Sequence, residues 1–288
     1  MNESCEKDIR GRERIPMSGF RGRRLFAKRS AKAILSVREN WLLLFFAGLI
    51  CLVGTMLPMF LFRMLYVCEG MLGDAFDGFL KSSLAEILEW ICIALVGVPL
   101  FSGYLYIVVG LARGQGRQVS DVFYAFSSFR AYLRGFLAIL LPALCRGLAV
   151  SISVLFANAG AAVASVLKAN YRSLIFNAAD FLSAFFGLFF VLLCGYVMPF
   201  GFFLLEKPKR SVWRALSMSC LAARGKLAEI LCFFISLIGW ILLSAATIGI
   251  VFVLFAAPFM LLSTAVFFGS LSEDVNFDSN SGKDTDNE

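Results

Sequence analysis

Charged side chains stop abruptly at Trp41, and the chain then runs to Phe62 without a single charge. As a helix rising about 1.5 Å per residue, those 22 residues would reach about 33 Å, the thickness of a bilayer's hydrocarbon core. Five further apolar runs follow, at Trp90–Leu111, Phe136–Ala157, Phe181–Leu205, Glu229–Thr247 and Gly249–Ser270. The last two are contiguous. Thr247-Ile248-Gly249 stands where a tight helical hairpin would turn, because one helix over both runs would overshoot any bilayer. The pattern predicts an all-α, polytopic membrane protein of about six transmembrane helices.

Between the runs the period changes. Val119, Val122, Phe123, Phe126, Phe129 and Leu133 fall close to helical spacing, and Val212, Trp213, Leu216 and Leu221 do much the same. Each segment reads as a short amphipathic helix lying on a membrane surface, aromatics among the headgroups and arginines among phosphates, or docked on the bundle. The two also resemble each other. Laid over one another at an offset of ninety, 122–138 and 212–228 share Val122/Val212, Ala125/Ala215, Ser127/Ser217, Arg134/Arg224, Gly135/Gly225, Leu137/Leu227 and Ala138/Ala228. Arg24–Arg38, before the first span, makes a third and more diverged copy. The chain is therefore expected to contain three helical-hairpin repeats, each preceded by a cytoplasmic amphipathic helix. Repeats of this kind either frame a cavity at their interface or simply pack.

Charge orients the spans. Eleven of the 27 basic residues precede Trp41, and basic loops at 112–135 and 206–228 alternate with an acidic loop at 63–89 and a nearly neutral one between spans three and four. The positive-inside rule then puts both termini in the cytoplasm. The net charge of +7 is read as this asymmetry, and as contact with anionic lipid headgroups of the bilayer, rather than as nucleic-acid binding. Residues 1–23 are expected to be a disordered basic tail, with Met17 a second candidate start. Residues 24–271 form the membrane domain, and 272–288 a disordered acidic tail. The late, long first run has no cleavage site before it, unlike a secretory signal. Hydrophobic residues make up 59% of the chain and charged residues 16%, against roughly 45–50% and 25% in soluble domains.

Candidate chemistry is sparse. Histidine is absent, which removes the commonest metal ligand and the side chain best placed for proton transfer near neutral pH. The eight cysteines are scattered without a CxxC pair and read as small buried hydrophobes. No cofactor fingerprint, metal cluster or nucleophile with its base stands out, so the chain is read as a non-enzyme. Arg113-Gly114-Gln115-Gly116-Arg117 lacks the rest of a phosphate-loop signature and reads as a flexible loop. Arg146, deep in the third span with Pro142 one turn before it, must face protein, water or a lipid phosphate. Together with Arg134 and Arg224 it is a candidate anion or lipid site, buried satisfaction by carbonyls being the plainer reading. Pro99, Pro142, Pro199 and Pro258 are candidate kinks or gates, simple kinks being commoner.

The last third of the chain carries a resemblance. Ala215-Leu216, Ser219, Arg224-Gly225-Lys226, Ser236, Ile238-Gly239-Trp240, Leu242-Leu243, Thr247 to Ile250, Pro258 and Ala265 to Phe268 resemble the signature of the domain-of-unknown-function 975 family. Fainter matches at Ala31-Lys32, Asn40-Trp41 and Asp121 to Phe126 extend it over roughly 24–271. Phe259 and Phe268 stand where tyrosines are expected. The resemblance implies a six-span protein of the bacterial cytoplasmic membrane and implies no activity. Two functions remain open on these grounds. One is a structural, regulatory or lipid- and partner-contacting membrane protein, and the other a small permease-like transporter of an anionic solute or lipid.

Overall fold

Apolar periodicity becomes helix throughout. The structure, a computed structural model, describes residues 20–67, 83–166, 181, 197, 199–207, 211–247 and 255–284. Among them there is no strand. In chain order the helices are α1 (Phe20–Ser36), α2 (Arg38–Val67), α3 (Ser83–Ala112), α4 (Phe129–Val166), α5 (Phe200–Glu206), α6 (Val212–Ala223), α7 (Leu227–Ile235), α8 (Ile238–Ala246) and α9 (Ala257–Asp284), with a 3-10 segment at Val119–Ser127. Among the described residues, four stretches are long and apolar enough to cross a membrane: Arg38–Leu61, Ile87–Ala112, Phe129–Ile152 and Leu227–Ser244. Most of the expected fourth span, the turn after Thr247 and residues 1–19 lie outside the described residues. α9 continues through Ser272 to Asp284, into the segment that composition assigns to an acidic tail.

The outer surface is what a lipid-facing bundle needs. Leu52, Val53, Met56, Leu57 and Phe60 on α2, and Leu144, Leu148, Val150, Val154 and Leu155 on α4, are all exposed. A contiguous apolar face of that extent would be a liability in water.

α3 is the centre of the bundle and touches α1, α2, α4, α5, α9 and the 3-10 segment. Its inward face, Leu100, Tyr104, Ile107, Val108 and Leu111, packs with Leu44, Ala47, Val122 and Leu262. Close approach is set by glycine. A Cβ on Gly103 would lie 2.9 Å from Val122 Cα and closer still to its carbonyl, so the 3-10 segment rests directly on the α3 backbone. Gly135 on α4 is instead closed in by the side chains of Ser102 and Ala125. A second cluster joins Phe200, Phe203 and Leu204 of α5 to Ala215 and Ala222 of α6, Phe233 of α7 and Phe267 and Leu271 of α9. Phe233 and Phe267 stack there with ring centroids 4.4 Å apart.

α1 bridges the two clusters through Ala27 and Ala31, one turn apart and fully buried. Those small side chains let it lie close along α9, as its extensive packing there shows. Its end is tied to α2 by the Asn40 side-chain amide, which donates to the Ile34 carbonyl at 3.2 Å.

Candidate functional site

The short elements gather where α2, α4 and α7 begin and α3 and α5 end, and most of the described arginines lie on them or at those adjoining ends. The corner after α3 is the most ordered part. α3 closes with Gly114 at φ +69°, a left-handed conformation natural to glycine. Gly114 N–H donates to the Leu111 carbonyl at 3.0 Å and Gln115 N–H to that of Gly110 at 2.9 Å, the paired bonds of a Schellman cap. The glycine-rich stretch expected to be a flexible loop is therefore a fixed helix terminus. It places two arginines. Arg113 pairs with the buried Glu206 carboxylate of α5 at 2.9 Å. Arg117 folds back so that its guanidinium carbon sits 3.9 Å over the Tyr106 ring, a cation–π contact. Gly110 makes the room, since a Cβ there would strike the Arg117 stem, 2.8 Å from Cγ. Tyr106 in turn stacks on Tyr124, centroids 4.1 Å apart.

The following segment differs from the amphipathic α-helix that its spacing predicts. Val119–Ser127 is a 3-10 helix, capped by Asp121, whose Oδ2 accepts the Gln118 N–H at 3.1 Å. Ser128 is extended, and its hydroxyl accepts the Ala131 N–H at 3.2 Å, which starts α4 afresh at Phe129. The break lets Val122 and Ala125 bury fully while Phe123, Phe126 and Phe129 remain outside, Phe129 being 80% exposed. Arg134 lies on α4 in its second turn. Burial first, then Tyr106, raises the Tyr124 hydroxyl above its ordinary pKa, and the nearby Arg134 and Arg117 pull it back down.

The second basic segment is a true helix, α6. Ala215, Ser219, Ala222 and Ala223 face inward, and Trp213 stands 79% exposed. α6 ends in a type II turn. Arg224 has φ −62° and ψ 123°, Gly225 has φ +73°, and Lys226 N–H donates to the Ala223 carbonyl at 3.0 Å. Arg224 edges an open depression of about 430 Å³ lined also by Ser217, Cys220 and Leu221. Arg134-Gly135 and Arg224-Gly225, which align in sequence, thus occupy different local structures, mid-helix and turn.

α1 lays a ladder of cations on α7 and its C-cap. Arg23 faces the buried Glu229 at 3.6 Å, an ion pair rather than a hydrogen bond. Arg24 Nη1 reaches the Cys232 carbonyl at 3.5 Å, and Lys28 Nζ donates to the Ser236 carbonyl at 3.0 Å. The last contact falls where α7 stops and α8 starts, so the expected fifth span is interrupted near its middle at Ser236-Leu237. Burial and then the neighbouring Arg24 lower the Lys28 pKa.

The prolines have separate fates. Pro99 deprives the Leu95 carbonyl of its helical donor, and the Tyr132 hydroxyl supplies one at 3.0 Å. Pro142 likewise releases the Ala138 carbonyl, and α5 comes so near it at Gly201 that a Cβ there would lie 2.7 Å from the oxygen. Pro199 is the N-cap of α5, and Pro258 lies in the first turn of α9, where proline is tolerated. Arg146 lies within α4, its side chain outside the described residues. Arg134 and Arg224 are therefore on the same end of the bundle but on different elements, and the tyrosines and Arg117 are the additions that sequence spacing did not single out. Its one signal was the pair Gly110 and Gly114, four apart, read as a generic crossing motif.

No family model, no curated protein and no solved structure matches the chain.

Proposed function

We propose that the chain is a non-enzymatic, multi-pass membrane protein whose collar of short basic elements contacts anionic lipid headgroups, in a structural or regulatory role. In this reading six spans form three hairpins in the bacterial cytoplasmic membrane, with both termini inside, as in the domain-of-unknown-function 975 family. The observation that carries it is the pairing of outward aromatics with arginines at the start of one candidate span, α4, and on α6, which is too short to span. Phe129 is followed by Arg130 and Trp213 by Arg214, and both aromatics are about four-fifths exposed. Tryptophan and phenylalanine beside arginine favour the headgroup zone, where an apolar ring and a cation are satisfied together. Each arginine near an anionic surface contributes about 1 kcal/mol.

The test is the fluorescence of Trp213 as sole tryptophan, with Trp41, Trp90 and Trp240 replaced by phenylalanine, in vesicles. Quenching by phosphatidylglycerol brominated high on its acyl chains, with protection from aqueous iodide, is expected. Free access to iodide and none to the brominated lipid would place the collar in water and end the reading.

A second reading, a permease-like path for an anionic solute, draws on the interruption at Ser236-Leu237, since broken spans often line transport sites. Proteoliposomes that accumulate no anionic solute under an imposed gradient would exclude it.

A further inference from the structure

We propose that Arg117, Arg134 and Tyr124 form a site for the phosphate group of an anionic lipid, at the corner where the 3-10 segment meets α4. This rests on the lipid-contact reading above and gives it a place and a ligand chemistry. Arg117 and Arg134, on separate elements, both lie near enough to Tyr124 for their charges to lower its hydroxyl pKa. Arg117 is held over Tyr106 at 3.9 Å, Tyr106 stacks on Tyr124 at 4.1 Å, and Arg134 rises from α4, which packs on the 3-10 segment. Arg117 is fixed by that stacking and by its Nη2 bond to Gln115 Oε1 at 2.7 Å. Its charge is thus presented without the entropy cost of a mobile side chain.

Two carboxylates of the adjoining segments are engaged elsewhere. Glu206 is paired with Arg113, and Asp121 caps the 3-10 segment. The charge of Arg117, its Nη2 already bonded to Gln115, together with the Arg134 guanidinium and a phenolic hydroxyl, suits the several acceptor oxygens of a phosphate. The hydrophobic rim decides the source. Phe123, Phe126 and Phe129 are 50%, 46% and 80% exposed around this corner, a surface that suits acyl chains and has no use for a free ion.

The experiment uses the full chain in neutral detergent micelles and reads its thermal midpoint against phosphatidic acid, phosphatidylcholine or inorganic phosphate. The chains compared are wild type, Arg134→Gln, Arg117→Gln and Arg214→Gln. Arg214, on α6, removes the same charge away from the corner. Phosphatidic acid is expected to raise the wild-type and Arg214→Gln midpoints alike, the half-saturating concentration moving no more than about fivefold in Arg214→Gln, as for loss of one general surface charge. That concentration should rise about tenfold or more in Arg134→Gln, as for loss of a charge-assisted hydrogen bond. Arg117→Gln should match it, and because Arg117 also packs on Tyr106, Arg134→Gln is decisive if Arg117→Gln fails to fold. Equal weakening by Arg134→Gln and Arg214→Gln would overturn the site and leave the general lipid reading standing. An equal response to inorganic phosphate would overturn the lipid as occupant. No response of the wild type to phosphatidic acid would overturn both the site and the reading.

Discussion

Replacing Gly103 by alanine tests the central claim about packing, that the 3-10 segment lies directly on the α3 backbone. The added methyl would fall 2.9 Å from Val122 Cα and nearer still to the Val122 carbonyl. Unbonded carbon atoms prefer about 3.5–4.0 Å, so the two backbones must part by on the order of 1 Å. Neither neighbour is the free end of a side chain, and Val122 and Ala125 are both fully buried. The movement therefore opens contacts on two elements. Overpacking of this kind costs about 1–3 kcal/mol, and the thermal midpoint of the purified protein should fall by about 2–10 °C. The control is Gly147→Ala on α4, where nothing lies within 4 Å of the new methyl. That change should leave the midpoint unchanged or raise it slightly, since alanine is the better helix former by about 0.5–1 kcal/mol. Hydrogen exchange over 119–127 should quicken in Gly103→Ala alone. Equal midpoints for the two variants would refute the contact.

Three other outcomes follow from the same geometry. Tyr132→Phe leaves the Leu95 carbonyl, freed by Pro99, without its donor, and should lower stability by about 0.5–1.5 kcal/mol in a detergent melt. Gly225→Ala forces a side chain into φ +73° and should cost about 1–2 kcal/mol, with Gly225→Asn intermediate, measured in the same melt. Because folding raises the Tyr124 pKa, its hydroxyl contributes stability that is complete below about pH 10 and lost as pH rises through the higher folded value. Lys28, with a lowered pKa, opposes this, its burial cost being relieved as pH climbs towards 10.5. The midpoint difference between wild type and Tyr124→Phe should therefore shrink above pH 10, and a difference constant with pH would show that the hydroxyl does not titrate differently on folding.

Hydropathy made the long helices legible because a lipid-facing helix is apolar on every side over a fixed length, as in Arg38–Leu61 and Ile87–Ala112. α6 was legible from the spacing of Val212, Trp213, Leu216 and Leu221, and α1 as a diverged copy of it. Yet the faces they bury are small ones, Ala27 and Ala31 in α1 and Ala215, Ser219 and Ala222 in α6, with Trp213 and Leu221 outside. The 3-10 form of Val119–Ser127 was not. Apolar positions spaced three or four apart fit either helix, and the choice was made by Gly103 admitting the segment's backbone and by Ser128 breaking it before Phe129. The Schellman cap escaped because a phosphate-loop comparison asks what the glycines bind, whereas Gly114 serves its own helix. The meeting of Arg117 with Tyr106 depends on a chain reversal of which composition carries no trace. Arg134 and Arg224 looked equivalent in sequence, yet one continues a helix and the other ends one, since Gly225 turns where Gly135 is held helical against Ser102.

Lys28 and the Ser236 carbonyl it binds are separated by 208 positions in the chain. At synthesis rates of about 5–20 residues per second, the ribosome needs roughly 10–40 s to make the second partner after the first has emerged. For that interval α1 exists without α7, its cations turned to whatever surface is nearest, and it can take its final seat only when the last third of the chain arrives. α1, made early, is thus seated late, its docking waiting on a segment made 208 positions after it.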